Sequence, residues 1–177
     1  MPLVKSGKVV EDRYVRVADG DPVPDQGAVI VSADRFLADA DELAQRGDPV
    51  GVIWPNNRNV AELEAHLPRL ALVALVFPAY KDGRAYSQAR LLRERYRYRG
   101  ELRATGQVLR DQFLFLVRAG FDTFEVVKQA DALAFEETTR RYSVFFQPTG
   151  DGRVTVARVR SGREAQAAHR EPERLTA

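Results

Sequence analysis

The chain has 177 residues, of which 45% are hydrophobic and 29% charged, and its formal net charge is +2. These are the values of a globular protein long enough for one core and too short for two, so wholesale disorder is excluded. With no cysteine and two histidines, a disulfide framework, a Cys-ligated zinc, an iron–sulfur cluster, thiol redox chemistry and a His-rich metal site are excluded as well.

In chain order, Lys8 to Val17 alternates loosely and is rich in valine, which predicts a strand or hairpin arm. Gly20, Pro22, Pro24 and Gly27 make a loop of the next segment. Ala28 to Val31 reads as a buried strand, with Ser32 as N-cap of a helix over Ala33–Gln45 that stops near Gly47. Val50–Trp54 is a second strand closed by Pro55, and Asn59 caps a helix over Val60–Leu67. Leu72–Phe77 is a third strand closed by Pro78. Ala85, Ala89, Leu92 and Tyr96 form one stripe of a helix over Ala85–Tyr96. A short strand at Leu102–Ala104 precedes a helix over Gln107–Ala119, which Gly120 ends. Phe121–Val126 is a fifth strand and Lys128–Thr138 a last helix, and Tyr142–Phe146 is extended and aromatic.

This order implies an α/β fold of about five βα units with a mostly parallel sheet, either partial TIM-barrel-like or open doubly wound. The expected organisation is an N-terminal strand arm and loop over 1–27 and an α/β domain over 28–148. Over 149–177, Val154, Val156 and Val159 are expected to form an edge strand, and a disordered charged tail follows from residue 160. The longest apolar run, Leu70–Phe77, is strand-length, far short of the roughly 20 residues that span a bilayer. No signal peptide is visible, and a cytoplasmic location is expected.

Charge is segregated: residues 11–48 hold ten acids and four arginines, residues 84–118 nine arginines and three acids. A basic middle segment suits an anion or an acidic protein face. Ligands of parallel α/β folds bind at the carboxyl ends of the strands. There Lys81, Arg84, Tyr86, Ser87, Arg103, Thr105 and Gly106 gather cations, hydroxyls and two helix starts, which makes them candidate anion-binding residues. The alternative is that Asp82-Gly83 is a turn, Asp82 a helix cap, and Arg84 and Arg90 partners of Glu94, Glu101 or Asp111. Lys81 and Asp82 are the candidates for acid–base catalysis, although neighbours on one turn are a weak signal. Arg90, Arg93 and Arg97 lie off the apolar stripe and form a candidate docking ridge, against the ordinary reading of a solvated face. No GxGxxG, GxxxxGK[ST], GxSxG or HExxH is present, and no cofactor or metal is expected. Tyr96 and Tyr98 interleave with Arg95, Arg97 and Arg99, but without a recognised motif a nucleic-acid partner is disfavoured. Packing roles are expected for Trp54 and His66.

The stretch Phe77-Pro78-Ala79-Tyr80-Lys81-Asp82-Gly83-Arg84-Ala85-Tyr86-Ser87-Gln88-Ala89-Arg90-Leu91-Leu92-Arg93 is distinctive. So are Tyr98-Arg99-Gly100-Glu101-Leu102-Arg103-Ala104-Thr105-Gly106-Gln107-Val108-Leu109-Arg110-Asp111-Gln112 and Gly120-Phe121-Asp122. Together, from about Ala28 to Pro148, they resemble the bacterial domain-of-unknown-function family 934. Its members are named as oxidoreductases involved in sulfite reduction, because their genes lie beside assimilatory sulfite reductase. A cysteine common in the family before the Gly120 position is Ala119 here. The resemblance implies a pathway more than a reaction. Without cysteine or a nucleotide fingerprint, electron transfer would need a flavin or nicotinamide held in an unusual way, or a partner's cofactor. The expectation is an accessory protein of assimilatory sulfite reduction, with sulfite reductase or another sulfur-assimilation enzyme as partner and a small anion as ligand. The alternatives are a free-standing βα enzyme acting on a small phosphorylated or sulfonated substrate, and a homodimeric structural module.

Overall fold

The computed structural model describes residues 1–161. Valine-rich and leucine-rich runs form eight strands: β1 Leu3–Lys5, β2 Lys8–Val10, β3 Val15–Arg16, β4 Val29–Ser32, β5 Val50–Trp54, β6 Leu72–Phe77, β7 Glu101–Gly106 and β8 Thr123–Glu125. They make one sheet in the order β2-β1-β8-β7-β6-β5-β4-β3. From β3 to β8 every neighbouring pair is parallel and consecutive in the chain, whereas β1 runs antiparallel to β8 and to β2. Crossovers of one hand between consecutive parallel strands send the chain round one face, which curls the sheet into a half-barrel. Of the two expected architectures, this is the TIM-like one; the doubly wound sheet is not formed.

The edges of this sheet are tied together. β2 and β3 lie at opposite ends of the strand order, yet only residues 11–14 separate them. The Lys8–Val17 segment, expected as one strand or arm, is therefore a seam whose first part pairs with β1 and second part with β4. An Arg16–Glu125 ion pair at 3.2 Å also joins β3 to β8 across the concave side.

Side-chain alternation divides the sheet into two faces. Val29, Val31, Val52, Trp54, Val73, Leu75, Phe77, Leu102, Ala104 and Phe124 join the main core under the helices. Tyr14, Ile30, Leu72 and Ala74 form a smaller apolar cluster on the concave side.

The helical segments are shorter and more broken than their periodicity suggests. Ser32 caps α1 (Ala33–Ala38) through Arg35 N–H at 3.2 Å, but the helix breaks at Asp39 before α2 (Ala40–Leu43). Asn59 caps only a 3-10 turn, Val60–Leu63. α3 (Arg84–Arg90) continues as a π-helical turn, Leu91–Arg95, that seats Leu92 in the core. A 3-10 turn, Arg110–Gln112, leads into α4 (Phe113–Ala119), closed by Gly120 at φ 103°. Another, Gln129–Leu133, leads into α5 (Ala134–Arg140), and the rings of Phe113, Phe124 and Phe135 lock α4, β8 and α5 together.

The C-terminal expectation is corrected. Val154, Val156 and Val159 form no edge strand; residues Val156–Arg160 are a helix, α6, and only a single parallel bridge joins Phe145 to Thr155. Tyr142–Phe146 is extended only at that bridge. Of the expected tail from residue 160, positions 162–177 lie outside the described residues. Trp54 and His66 pack as expected, Trp54 fully buried and His66 edge-on to Phe36 at 5.3 Å.

Candidate functional site

At the carboxyl ends of the strands the loop after β6 is built around Asp82. Its carboxylate takes the Arg84 guanidinium at 3.0 and 2.6 Å and the Arg84 N–H at 3.3 Å, so Arg84 is paired as the alternative reading expects but with Asp82 instead of Glu94, Glu101 or Asp111, and the N-cap position of α3 is Gly83. Hydrogen bonding from Arg84 holds the Asp82 carboxyl far below the usual carboxylate range. A carboxylate so held is a poor proton acceptor. Lys81 and Ser87 are exposed at the same turn. Tyr86 packs edge-on against Phe77, and burial, with the Asp111 charge adding, pushes its hydroxyl up to about 12.

Arg103 and Thr105 do not join this group. Alternation places Glu101, Arg103 and Thr105 of β7 on the concave side, with Thr123 and Glu125 of β8 beside them. The Arg103 side chain is 2% exposed and pairs with Asp12 at 2.6 Å and Glu101 at 3.0 Å, with Glu125 at 3.6 Å. Its cation also lies 5.5 Å from the Tyr14 ring centre. Thr123 donates to Glu101 at 2.7 Å and Thr105 to Glu125 at 2.6 Å. Arg103 and Thr105 are therefore corrected from rim donors to members of a buried network whose donors already face carboxylates. Gly106, at φ 94°, ends β7 in a left-handed turn where a side chain would strike the Phe77 carbonyl. Tyr14, Ile30, Leu72, Ala74 and Arg103 occupy the concave face at mid-strand.

The opposite, amino-terminal end carries the arginine-rich segment that runs from the end of α3 into β7. Arg90 pairs with Glu94 at 3.1 Å. Arg93 is corrected from docking cation to internal clip: it donates to the carbonyls of Gly120 at 3.0 Å, Tyr98 at 2.7 Å and Gly100 at 2.9 Å and to Asp122 at 2.6 Å. Arg97 is exposed as expected, at the tip of the loop that leads into β7, with φ at 53°. Arg95 and Arg99 flank it, also exposed. Among the described residues none of these three has an acid partner. Arg95 lies beside the Tyr96 ring, 5.6 Å from its centre.

A family model described as a bacterial protein of unknown function, DUF934, matches residues 51–157. The chain belongs to that family. No curated protein matches. The DUF934 match takes in β5 to β8, the Lys81–Arg84 turn and the arginine loop. The N-terminal seam with Asp12, Tyr14 and Arg16 lies before it.

Sequence reasoning brings Lys81, Arg84, Tyr86 and Ser87 to one turn, where Arg84 is held by Asp82 and Tyr86 packs on Phe77. It does not anticipate that Arg95 and Arg99 stand exposed beside Arg97, because its ridge follows helical spacing, while the helix becomes a π turn at Leu91.

Proposed function

We propose that this DUF934 chain is an accessory protein of assimilatory sulfite reduction that holds an acidic partner enzyme at its amino-terminal end. The pathway rests on the resemblance of residues 28–148 to proteins named for sulfite reduction. The docking mode rests on one observation. Arg16, Arg35, Arg58, Arg84, Arg90, Arg93, Arg103 and Arg118 each pair with an acid. Arg13, Arg46, Arg69, Arg110 and Arg160 also have no acid partner among the described residues but stand apart along the chain, whereas Arg95, Arg97 and Arg99, likewise without one, lie together on one exposed loop. Cations left uncompensated on a projecting loop raise the local potential and steer an acidic face into register. The rim contributes Lys81 and Ser87 as the remaining donors for a small anion.

The test is capture of the tagged full chain from its native host grown with sulfate as sole sulfur source. Sulfite reductase or another sulfur-assimilation enzyme is expected at low salt and lost as salt rises, because the Debye length falls to about 3 Å at 1 M. Recovery of the chain alone at low salt would overturn the reading.

A further inference from the structure

We infer that the Arg95–Gly100 loop is a preformed cradle for an extended acidic peptide segment, with Arg93 as its positioning residue. The inference rests on the docking reading above and names the chemistry of the partner segment.

A non-glycine residue in the left-handed region is costly and persists where its surroundings over-determine it. Arg97 is such a residue, at φ 53°. Its loop is fixed from below. Tyr96 N–H reaches back to the Leu91 carbonyl at 3.0 Å and Tyr98 N–H to the Leu92 carbonyl at 2.9 Å. The buried Tyr98 donates its hydroxyl to the Leu70 carbonyl at 3.1 Å, and Gly100 is folded onto its ring. Arg93 then ties the Tyr98 and Gly100 carbonyls to Gly120 and Asp122. The guanidinium of Arg93 is consumed in this bracing, so it shapes the loop even though its side chain borders one of the adjoining hollows. A site held ready in this way loses little entropy on binding.

Two hollows flank the loop. One, of about 400 Å³, is lined by Leu67, Pro68, Tyr96 and Arg97. The other, of about 630 Å³, is lined by Arg118, Phe121, Asp122 and Asp151. Tyr98 and Arg99 border both. An extended chain crossing that ridge sends successive side chains into opposite hollows, while its carboxylates meet Arg95, Arg97 and Arg99. Glu64, Glu94, Asp122 and Asp151 stand in the same hollows. Glu94, Asp122 and Asp151 are paired with Arg90, Arg93 and Arg118, so the uncompensated charge is that of Arg95, Arg97 and Arg99, to which a peptide can space its carboxylates, whereas a nucleic-acid backbone has a fixed, close charge spacing. Tyr96 is half-buried and lies beside Arg95, which occupies one side of its ring, so only a single partly covered ring is offered for base stacking.

The experiment is a fluorescence-anisotropy titration of the full chain with a labelled peptide of alternating glutamate and alanine. The unlabelled peptide, a single-stranded oligothymidylate of equal charge and inorganic sulfate serve as competitors. Saturable, salt-sensitive peptide binding is expected, weakened about tenfold or more by Arg97→Glu with Arg99→Glu. Arg93→Lys keeps the charge and loses the clip, so it should weaken binding several-fold while the salt dependence stays that of wild type. Tyr98→Phe, which removes only the Leu70 bond, should act in the same direction and serves if Arg93→Lys does not fold. Wild-type affinity in both folded variants would overturn the positioning role. Displacement of the labelled peptide by oligothymidylate at lower concentration than by the unlabelled peptide of equal charge would overturn the peptide assignment in favour of nucleic acid. If host-partner capture requires Arg97 and Arg99 but the peptide does not bind, the cradle falls and the docking reading stands. If capture ignores the Arg97→Glu, Arg99→Glu variant, the docking reading itself falls.

Discussion

Arg103 carries a full positive charge in a position only 2% exposed, and Asp12, Glu101 and Glu125 surround it. Removing one partner of a buried ion pair strands the others, so Arg103→Leu should cost about 3–5 kcal/mol in chemical denaturation. Asp12 tests the same network through pH. Burial opposes its charge, but the Arg103 guanidinium, the Tyr14 N–H and the Arg16 charge outweigh it, so its carboxyl titrates below the usual range. A folded-state value below the unfolded one gives stability that is present above the unfolded value of about 3.9 and lost as pH falls through the folded one. Asp12→Asn should therefore be less stable than wild type at neutral pH, by about 2 kcal/mol. The gap should close as pH drops below about 4, read from thermal melts across pH. At this scale the sequence shows which residue types are present and where each falls on a strand. It could not show that Arg103 meets Asp12, 91 positions away, and so it placed Arg103 on the rim.

Local chemistry decides more at the scale of single elements. Ser32 and Asn59 cap their segments, Gly120 stops α4, and strands at Val50–Trp54 and Leu72–Phe77 form where apolar runs end in proline. Helix lengths are less legible, because the packing partner and not the period sets where a helix breaks. The π turn after Arg90 is one such case: it lets Leu92 into the core and swings Arg93 toward Gly120. A Cβ on Gly120 would lie 2.6 Å from the Arg93 Cγ, and the backbone there is at φ 103°. Gly120→Ala should thus destabilise by about 1–3 kcal/mol in urea and also loosen the arginine loop, seen as faster amide exchange over residues 96–100. The valines at 154, 156 and 159 show the converse. Strand propensity needs a sheet edge with matching burial; the edges here are taken by β2 and β3, and Val156–Arg160 coils into a helix.

For the whole molecule, the seam is the feature with the widest consequence. One segment, Lys8–Val17, contributes to both edges of the sheet, and the Arg16–Glu125 and Arg103–Asp12 pairs fasten it over the concave side. The seam links the two edges without pairing them: β2 and β3 are the end strands of the half-barrel, and both are only two or three residues long, which keeps the exposed edges short. Arg16→Ala should release protection of residues 3–17 in hydrogen exchange before that of β5 and β6, which sit at the centre of the sheet. Simultaneous release of both regions would show that the seam is part of the global unfolding unit. The βα rhythm of the domain, its parallel sheet and the split between an acidic beginning and a basic middle are determined by the sequence alone, because hydrophobic period and charge are local properties. Only the tertiary structure decided which of two parallel-sheet architectures forms and which arginines remain uncompensated at the surface. Those outcomes depend on how far the sheet curls and on which acids that curl carries within reach of each guanidinium.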